Sequence, residues 1–333
     1  MPSPKIVVIG GGTGNRTTLS GLKHEECDLT AVVAMTDSGG SSGRLRDELG
    51  ILPPGDIRQC LVALASTDPS TALTAQLFDY RFSAGNGLEG HSFGNLYLTA
   101  LTEVTGNIAT AIEEASRMLS IKGTVLPVTL TRSSLVARLK DGTEVAGEAS
   151  IGQRQEGLDV SIDYIYLSPK AYAYPPAIQA IEEADAVIMG PGDIYTSILP
   201  NLLVEDISQA INASRAAKIC ICNLMTRPGE SDGFKASSFA GLIREYLGTS
   251  DLLDYLIVNS TPYPERLLER YRSFGQYPVE IDDAESSKLV RNIVHEPLFT
   301  AGVYLHHDSR LLASPLMGIL ERHTAGTPVR GLA

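Results

Sequence analysis

The chain has 333 residues, 43% of them apolar and 20% charged, which excludes a disordered chain and allows one large domain or two ordinary ones. Its formal charge of −12 disfavours a general nucleic-acid or anionic-membrane binder, so any phosphate site has to be a local basic island. Four cysteines make no disulfide framework at this length, and the apolar runs fall short of the roughly 18 residues of a membrane span.

The N-terminus enters a strand without a basic n-region or apolar h-region, so the expected address is the cytoplasm. Lys5 to Ile9 is a short β-branched run, the pattern of a strand buried on both faces. It ends in Gly10-Gly11-Gly12-Thr13-Gly14, and a helical period with Leu19 and Leu22 follows. Strand, glycine turn and helix together place helix N-terminal amides beside a bound anion. The spacing is neither G-x-G-x-x-G nor a G-K-[ST] phosphate loop, so a dehydrogenase is disfavoured against another kind of nucleotide-phosphate site.

A second strand, Leu29 to Met35, delivers the stretch Met35 to Leu61, with five glycines, three arginines, four carboxylates and three serines. Its glycines permit close backbone approach, consecutive amides form an anion-binding concavity, and Arg44, Arg46 and Arg58 supply forked donors. The alternative is a surface loop whose arginines pair with Asp47, Glu48 and Asp56. Helices are expected from Gly55 to Ala65, from Thr71 to Tyr80, after His91-Ser92-Phe93-Gly94-Asn95, and from Ile108 to Leu119. His91 either approaches a phosphate or serves as a structural hydrogen-bonder.

Between Val125 and Leu167 the period becomes alternating around Asp141-Gly142, which predicts an antiparallel hairpin insertion acting as lid or dimer surface. Pro175 to Glu183 returns to the helical period. Ala186 to Met189 is a buried strand ending in Gly190-Pro191-Gly192-Asp193. Lys218 to Cys222 runs into Asn223, and Tyr255 to Val258 into Asn259. Five strand ends carrying Gly, Asp, Asn, Ser or Thr predict one composite site outside the carboxyl edge of an α/β sheet. Cys220 and Cys222 are expected on one face of a buried strand, without zinc. His306 and His307 are expected on opposite sides of an extended segment. Ser314-Pro315 is expected to open a short helix, and 324–333 to be a loose tail after a single domain over 1–323.

The blocks V-V-I-G-G-G-T-G, D-S-G-G-S-S-G-R-L-R-D-E-L-G-I-L-P-P-G-D-I-R-Q-C-L, G-H-S-F-G-N-L, G-P-G-D-I-Y-T-S-I-L-P-N-L-L-V and I-C-N-L-M-T-R-P-G-E occur in this order. They resemble the bacterial gluconeogenesis-factor (YvcK-type) family, within the wider 2-phospho-L-lactate transferase superfamily. The resemblance implies a three-layer α/β/α Rossmann-like fold with a mostly parallel sheet, a cytoplasmic homodimer, and binding of UDP-sugars such as UDP-N-acetylglucosamine. It also implies a regulator with a protein partner in cell-wall synthesis, linked to cell shape, wall-precursor supply and growth on gluconeogenic carbon sources.

On that basis the amides of Gly11, Gly12, Thr13 and Gly14 and of Gly39, Gly40, Ser41 and Ser42 would hold the diphosphate. Ser38 and Arg44 would stand beside it, with His91 and Asn95 at a helix start. Asn223 and Thr226 would meet base or sugar, and Gly190, Gly192, Tyr195 and Thr196 would line the wall. Where relatives read Asp-Asp-Gly-Gly and Gly-Pro-Gly-Ser, this chain has Ser38 and Asp193, and Asp193 would face the sugar, the base or a cation. Asn15-Arg16 replaces the usual Leu-Ser. The alternative is an Mg²⁺-dependent transferase using a nucleoside-diphosphate-activated donor, with the metal on Asp37. No cofactor is required by the first account, and neither nucleic acid nor membrane insertion enters either one.

Overall fold

The computed structural model describes residues 3–154, 160–300, 302 and 304–324. Ten strands form among them: β1 (Lys5–Gly10), β2 (Asp28–Val33), β3 (Thr124–Pro127), β4 (Ser134–Leu139), β5 (Glu144–Ala146), β6 (Ile162–Ser168), β7 (Ala186–Met189), β8 (Ala217–Ile221), β9 (Leu253–Asn259) and β10 (Val290–Glu296). Seven make one sheet in the order β10-β9-β8-β7-β1-β2-β3, with every pairing parallel.

The central strands read as apolar runs because helices bury both their faces, and Val8, Ile9, Val32 and Ile188 are fully enclosed. From β1 the chain steps outward to β2 and β3, then returns to β7 and steps the other way through β8 and β9 to β10. Right-handed crossovers taken in opposite directions put the two sets of helices on opposite faces. The first set includes α1 (Gly12–Leu22), α2 (Gly40–Leu49), α3 (Gly55–Leu64), α4 (Pro69–Asp79), α5 (Phe93–Thr105) and α6 (Ile108–Leu119). The second includes the helices Ile207–Ala213 and Ala236–Leu247, which pack on each other. The order reverses between β1 and β7, and that reversal opens a crevice at the carboxyl edge of the sheet.

The antiparallel insertion is a three-stranded sheet, β5-β4-β6, rather than a lone hairpin. Asp141 Oδ1 accepts the Thr143 amide at 2.8 Å in its turn, where Gly142 takes a φ of 90°. Thr124–Pro127, expected at the start of the insertion, is instead the edge strand β3 of the large sheet. A short helix, Glu148–Gly152, follows β5.

The last described helix runs Ser309–Thr324 with Pro315 inside it, so Ser314-Pro315 does not open it. Asp308 Oδ1 accepts the amides of Arg310 and Leu311 at 2.9 and 3.3 Å and starts the helix earlier. Thr324, expected to begin the loose tail, is instead the last residue of this helix, and 325–333, the rest of that tail, lie outside the described residues. All four cysteines are buried and free, and among the described residues no helix is long and apolar enough to cross a membrane.

Candidate functional site

The turn after β1 works because it has no side chains in the way. A Cβ on Gly11 would fall 2.4 Å from Asp56 Oδ2, and one on Gly14 would fall 1.8 Å from the Pro191 carbonyl oxygen. Gly12 has a φ of 58°, which favours glycine. The two glycine loops, after β1 and after β7, are therefore in backbone contact. Helix α1 starts at this contact with no side-chain cap.

After β2 the chain places Asp37 at the same edge. Its Oδ1 accepts the Gly39 amide at 2.9 Å, and its Oδ2 lies against Gly55, where a Cβ would come within 2.5 Å. Asp56 sits in the first turn of α3, where the helix dipole favours a carboxylate, and it accepts the Gly12 amide. After β7, Asn223 braces the second glycine loop from the end of β8: it accepts the Gly192 amide at 3.3 Å and donates to the Gly192 carbonyl at 2.9 Å.

Arg227, six residues past β8, forks among three partners. It pairs with Asp193, lies 3.1 Å from Glu230 Oε1, and donates to the Gly152 carbonyl at 3.1 Å. The last contact ties the insertion to the large sheet, as does Ser38 Oγ, which accepts the Ala149 amide at 3.0 Å.

These strand ends enclose a cleft of about 580 Å³, lined by Gly11, Gly12, Thr13, Gly14, Asp37, Asp56, Glu148, Gly192, Asp193, Asn223, Thr226, Arg227, His306 and His307 among others. Carboxylates dominate it. Burial and the neighbouring Asp37 and Glu148 charges push the Asp56 carboxyl well above its ordinary value, against the Gly12 hydrogen bond and Arg58. Burial and then Asp37 lift Glu148 to about 7. Burial also raises Asp193, with Arg227 opposing. Behind it, burial and the Asp193 charge lift Glu230 to about 8, opposed by Arg227 and by Thr196, whose hydroxyl donates at 3.2 Å. His307, 3.1 Å from the Cys222 carbonyl, is pushed by burial down to about 4 and stays neutral. Both His306 and His307 line the cleft, His306 with its ring 5.8 Å from that of Tyr304 and His307 turned to the Cys222 carbonyl.

The glycine-turn residues Gly11 to Gly14, Asp37, Gly192, Asp193, Asn223 and Thr226 thus come together. The remaining predicted residues do not line the cleft. The segment after Asp37 is not an open concavity: Gly39 to Ser42 are the start of α2, and Ser41 and Ser42 are buried against α5. Ser41 Oγ meets His91 Nδ1 at 2.9 Å, and Asn95 Nδ2 donates to Ser41 and Ser42 at 3.1 and 3.3 Å. Burial, with Arg44 second, lowers the His91 pKa, so this histidine is a neutral structural partner. Arg58 donates to Asn95 Oδ1 at 3.1 Å and pairs with Asp79, which also pairs with Arg16. Arg44 donates to the Glu89 carbonyl at 2.7 Å. Gly190 turns the loop at a φ of 93°, while Tyr195 and Thr196 are buried in the π-helical turn Ile194–Ile198 behind the wall.

Sequence reasoning missed Asp56, Glu148, Arg227 and His307. Asp56 was visible only as a helix-start residue and as an alternative partner of the loop arginines, and Arg227 only inside the T-R-P-G-E block. Nothing local marked Glu148, which arrives on the insertion.

Among the described residues no group of three His, Cys, Asp or Glu is placed to hold a metal ion. The hard carboxylate oxygens of Asp37 and Asp56 nevertheless suit Mg²⁺, which takes one or two carboxylates together with phosphates rather than a full protein cage.

A profile of the CofD family, described as 2-phospho-L-lactate transferase CofD, matches residues 6–299. The gluconeogenesis factor of Bacillus subtilis strain 168 is 40% identical over 323 residues, covering 96% of this chain and 98% of that protein. A relative from Nostoc sp. strain PCC 7120 is 48% identical over 291 residues, 87% of this chain, and the match spans 62% of that longer protein. A crystal structure of protein BH3568 from Bacillus halodurans superposes with a TM-score of 0.88 at 39% identity, covering 96% of this chain and 99% of that one. A second crystal structure, described as a member of the UPF0052 family, gives 0.89 at 38% identity over 95% and 99%. With its sheet order, its two abutting glycine loops and these matches, the chain belongs to the CofD family, alongside relatives named gluconeogenesis factor.

Proposed function

We propose that the cleft binds a nucleoside-diphosphate sugar, with UDP-N-acetylglucosamine as the leading candidate, and that the chain acts as a cytoplasmic regulator. The observation that carries this reading is the contact of the two glycine loops at the β1/β7 reversal, where the first turn of α1 opens onto the cleft. Helix-start amides and a close backbone approach suit a diphosphate. Asn223 and Thr226 stand on the β8 side for base or sugar. Asp37, Asp56, Glu148 and Asp193 face one arginine, so the diphosphate is best carried with a divalent cation that Asp37 and Asp56 would hold. That cation would supply charge neutralisation; the protein's part is to orient the ligand and keep its phosphates on the α1 amides.

Regulation follows if the occupied cleft favours one of two conformations that a partner in cell-wall synthesis distinguishes. Links to cell shape, wall-precursor supply and gluconeogenic growth, and assembly as a homodimer, belong to this reading. A thermal-shift screen of nucleotides and nucleotide sugars tests it, because a ligand that binds the folded state raises its apparent stability. UDP-sugars should raise the midpoint more than adenine or guanine nucleotides; no shift with any nucleotide would overturn it.

A transferase acting on a nucleoside-diphosphate-activated donor is the second reading. Glu148 favours it, since a cleft carboxyl poised near 7 suits a general base at neutral pH. Steady UDP release from a UDP-sugar with Mg²⁺ and an acceptor, abolished in Asp37→Ala, would select it; no release selects the regulator.

A further inference from the structure

A second hollow of about 530 Å³ lies on the other side of the segment that carries Asp37. Met35 lines this hollow and Asp37 lines the cleft, so the two cavities are separate but share that segment. Its walls are the end of α2, the turn at Ile51 to Pro53, and the neck where the insertion sheet joins the large one, Arg132 to Ser134 and Ser168-Pro169.

The hollow is a basic spot on an acidic protein. Arg46 and Arg132 both line it, and Asp47 is the one carboxylate among its lining residues. Arg46 Nε pairs with Asp47 Oδ1 at 3.0 Å, while its Nη1 is buried without a hydrogen-bond partner. Buried polar groups are nearly always satisfied, so an orphaned guanidinium nitrogen calls for an explanation. Capping of α2 is a weak one. Arg132 lies over Gly50, its Nη1 3.1 Å from where a Cβ would stand, and the Arg46 carbonyl of that last helical turn is already taken by the Gly50 amide at 3.0 Å.

The serines complete the arrangement. Ser134 and Ser168 are directly opposed at the end of the β4–β6 ladder, so their hydroxyls share one face, and both line the hollow. Ser133 Oγ donates to the Pro169 carbonyl at 2.6 Å and fixes the neck. Ile51, Leu52, Pro53 and Pro169 supply an apolar wall.

We propose that this hollow is a second ligand site, which takes a small phosphomonoester through the guanidiniums of Arg46 and Arg132. Forked donors suit a phosphate dianion, and two of them outweigh one carboxylate. The volume lies within the roughly 300–1,000 Å³ of small-molecule pockets and exceeds what inorganic phosphate fills. The ligand therefore carries an organic body, which rests on the apolar wall and meets the hydroxyls of Ser134 and Ser168.

Calorimetry of the full chain with glycerol 3-phosphate, and separately with inorganic phosphate, in a buffer free of both, tests this. Saturable binding of glycerol 3-phosphate, tighter than that of phosphate, is the expected result, and it should persist when UDP is present in excess. Arg132 is exposed, so Arg132→Ala should fold normally and weaken binding by about 10- to 150-fold, the loss of a hydrogen bond to a charged group. Arg132→Lys should recover part of it. Absence of saturable binding, unchanged affinity in Arg132→Ala, or complete displacement by UDP would each overturn the proposal.

Discussion

Glu230 is only 5% exposed, held between the Thr196 hydroxyl and the Arg227 guanidinium. Its carboxyl keeps a proton up to about 8 against an ordinary 4.5, so between those values the folded state binds more protons than the unfolded one. Stability therefore falls as pH rises across that window and levels off above it. Glu148 adds a fall of the same sign that ends near 7. Glu230→Gln should flatten the midpoint-against-pH curve between 4.5 and 8; a slope equal to the wild type's would assign the titration elsewhere. Arg58 makes a second prediction at this scale. It is 7% exposed and serves Asn95 and Asp79, so Arg58→Ala should cost about 2 kcal/mol in urea unfolding, the range for lost hydrogen bonds to a charged group, while Asp79, 31% exposed, keeps Arg16. A loss below about 1 kcal/mol would put the pair in the class of exposed ion pairs. The sequence displays Arg58 as one of three phosphate-binding arginines. Only packing reveals that its fork is already filled, because its partner Asp79 lies on another helix.

Helix α2 is the element that local reading loses. Glycines at 39, 40 and 43 and serines between them look like a loop, yet the Gly43 amide donates to the Gly39 carbonyl at 2.9 Å and the helix begins there. What selects helix is tertiary: Ser41 and Ser42 find Asn95 on α5, Ser41 also meets His91 just before that helix, and a Cβ at Gly43 would stand 2.1 Å from the Ser38 carbonyl oxygen. The glycine turn of β1 is the opposite case, legible in the sequence because its strand-turn-helix pattern is local. Its glycines are needed for contact as well as for turning. Gly14→Ala would drive a methyl into the Pro191 carbonyl, and it should destabilise by about 3 kcal/mol, the upper range for overpacking, while lowering affinity for any cleft ligand. Unchanged stability in denaturant titration would mean that the two glycine loops are not in contact.

Across the whole molecule, polar residues at the ends of buried apolar runs correctly marked the carboxyl edge of the sheet. Four of the five strand ends named from sequence reach the cleft; Asn259 instead accepts the amides of Thr261 and Leu298 at 3.2 Å each. The edge strands were hidden for a physical reason. β3 is four residues long and runs into the alternating insertion, and β10, V-R-N-I-V-H-E, is polar because among the described residues it pairs with a strand on one side alone. Glu148 was hidden because the insertion carries it across the fold to a site 111 residues away in sequence, where Ala149 meets Ser38.

The claim on which the functional account stands is that the start of α1 receives a diphosphate. Thr13 is exposed, lines the cleft and lies in the first turn of α1, so Thr13→Glu should keep the fold while placing a carboxylate against the phosphates. Calorimetric titration of UDP-N-acetylglucosamine with Mg²⁺ into both proteins is the direct measurement. The account predicts saturable binding to the wild type and a loss of at least about tenfold, ~1.4 kcal/mol, in Thr13→Glu. Equal affinity in the two proteins, or no binding to the wild type, would contradict it.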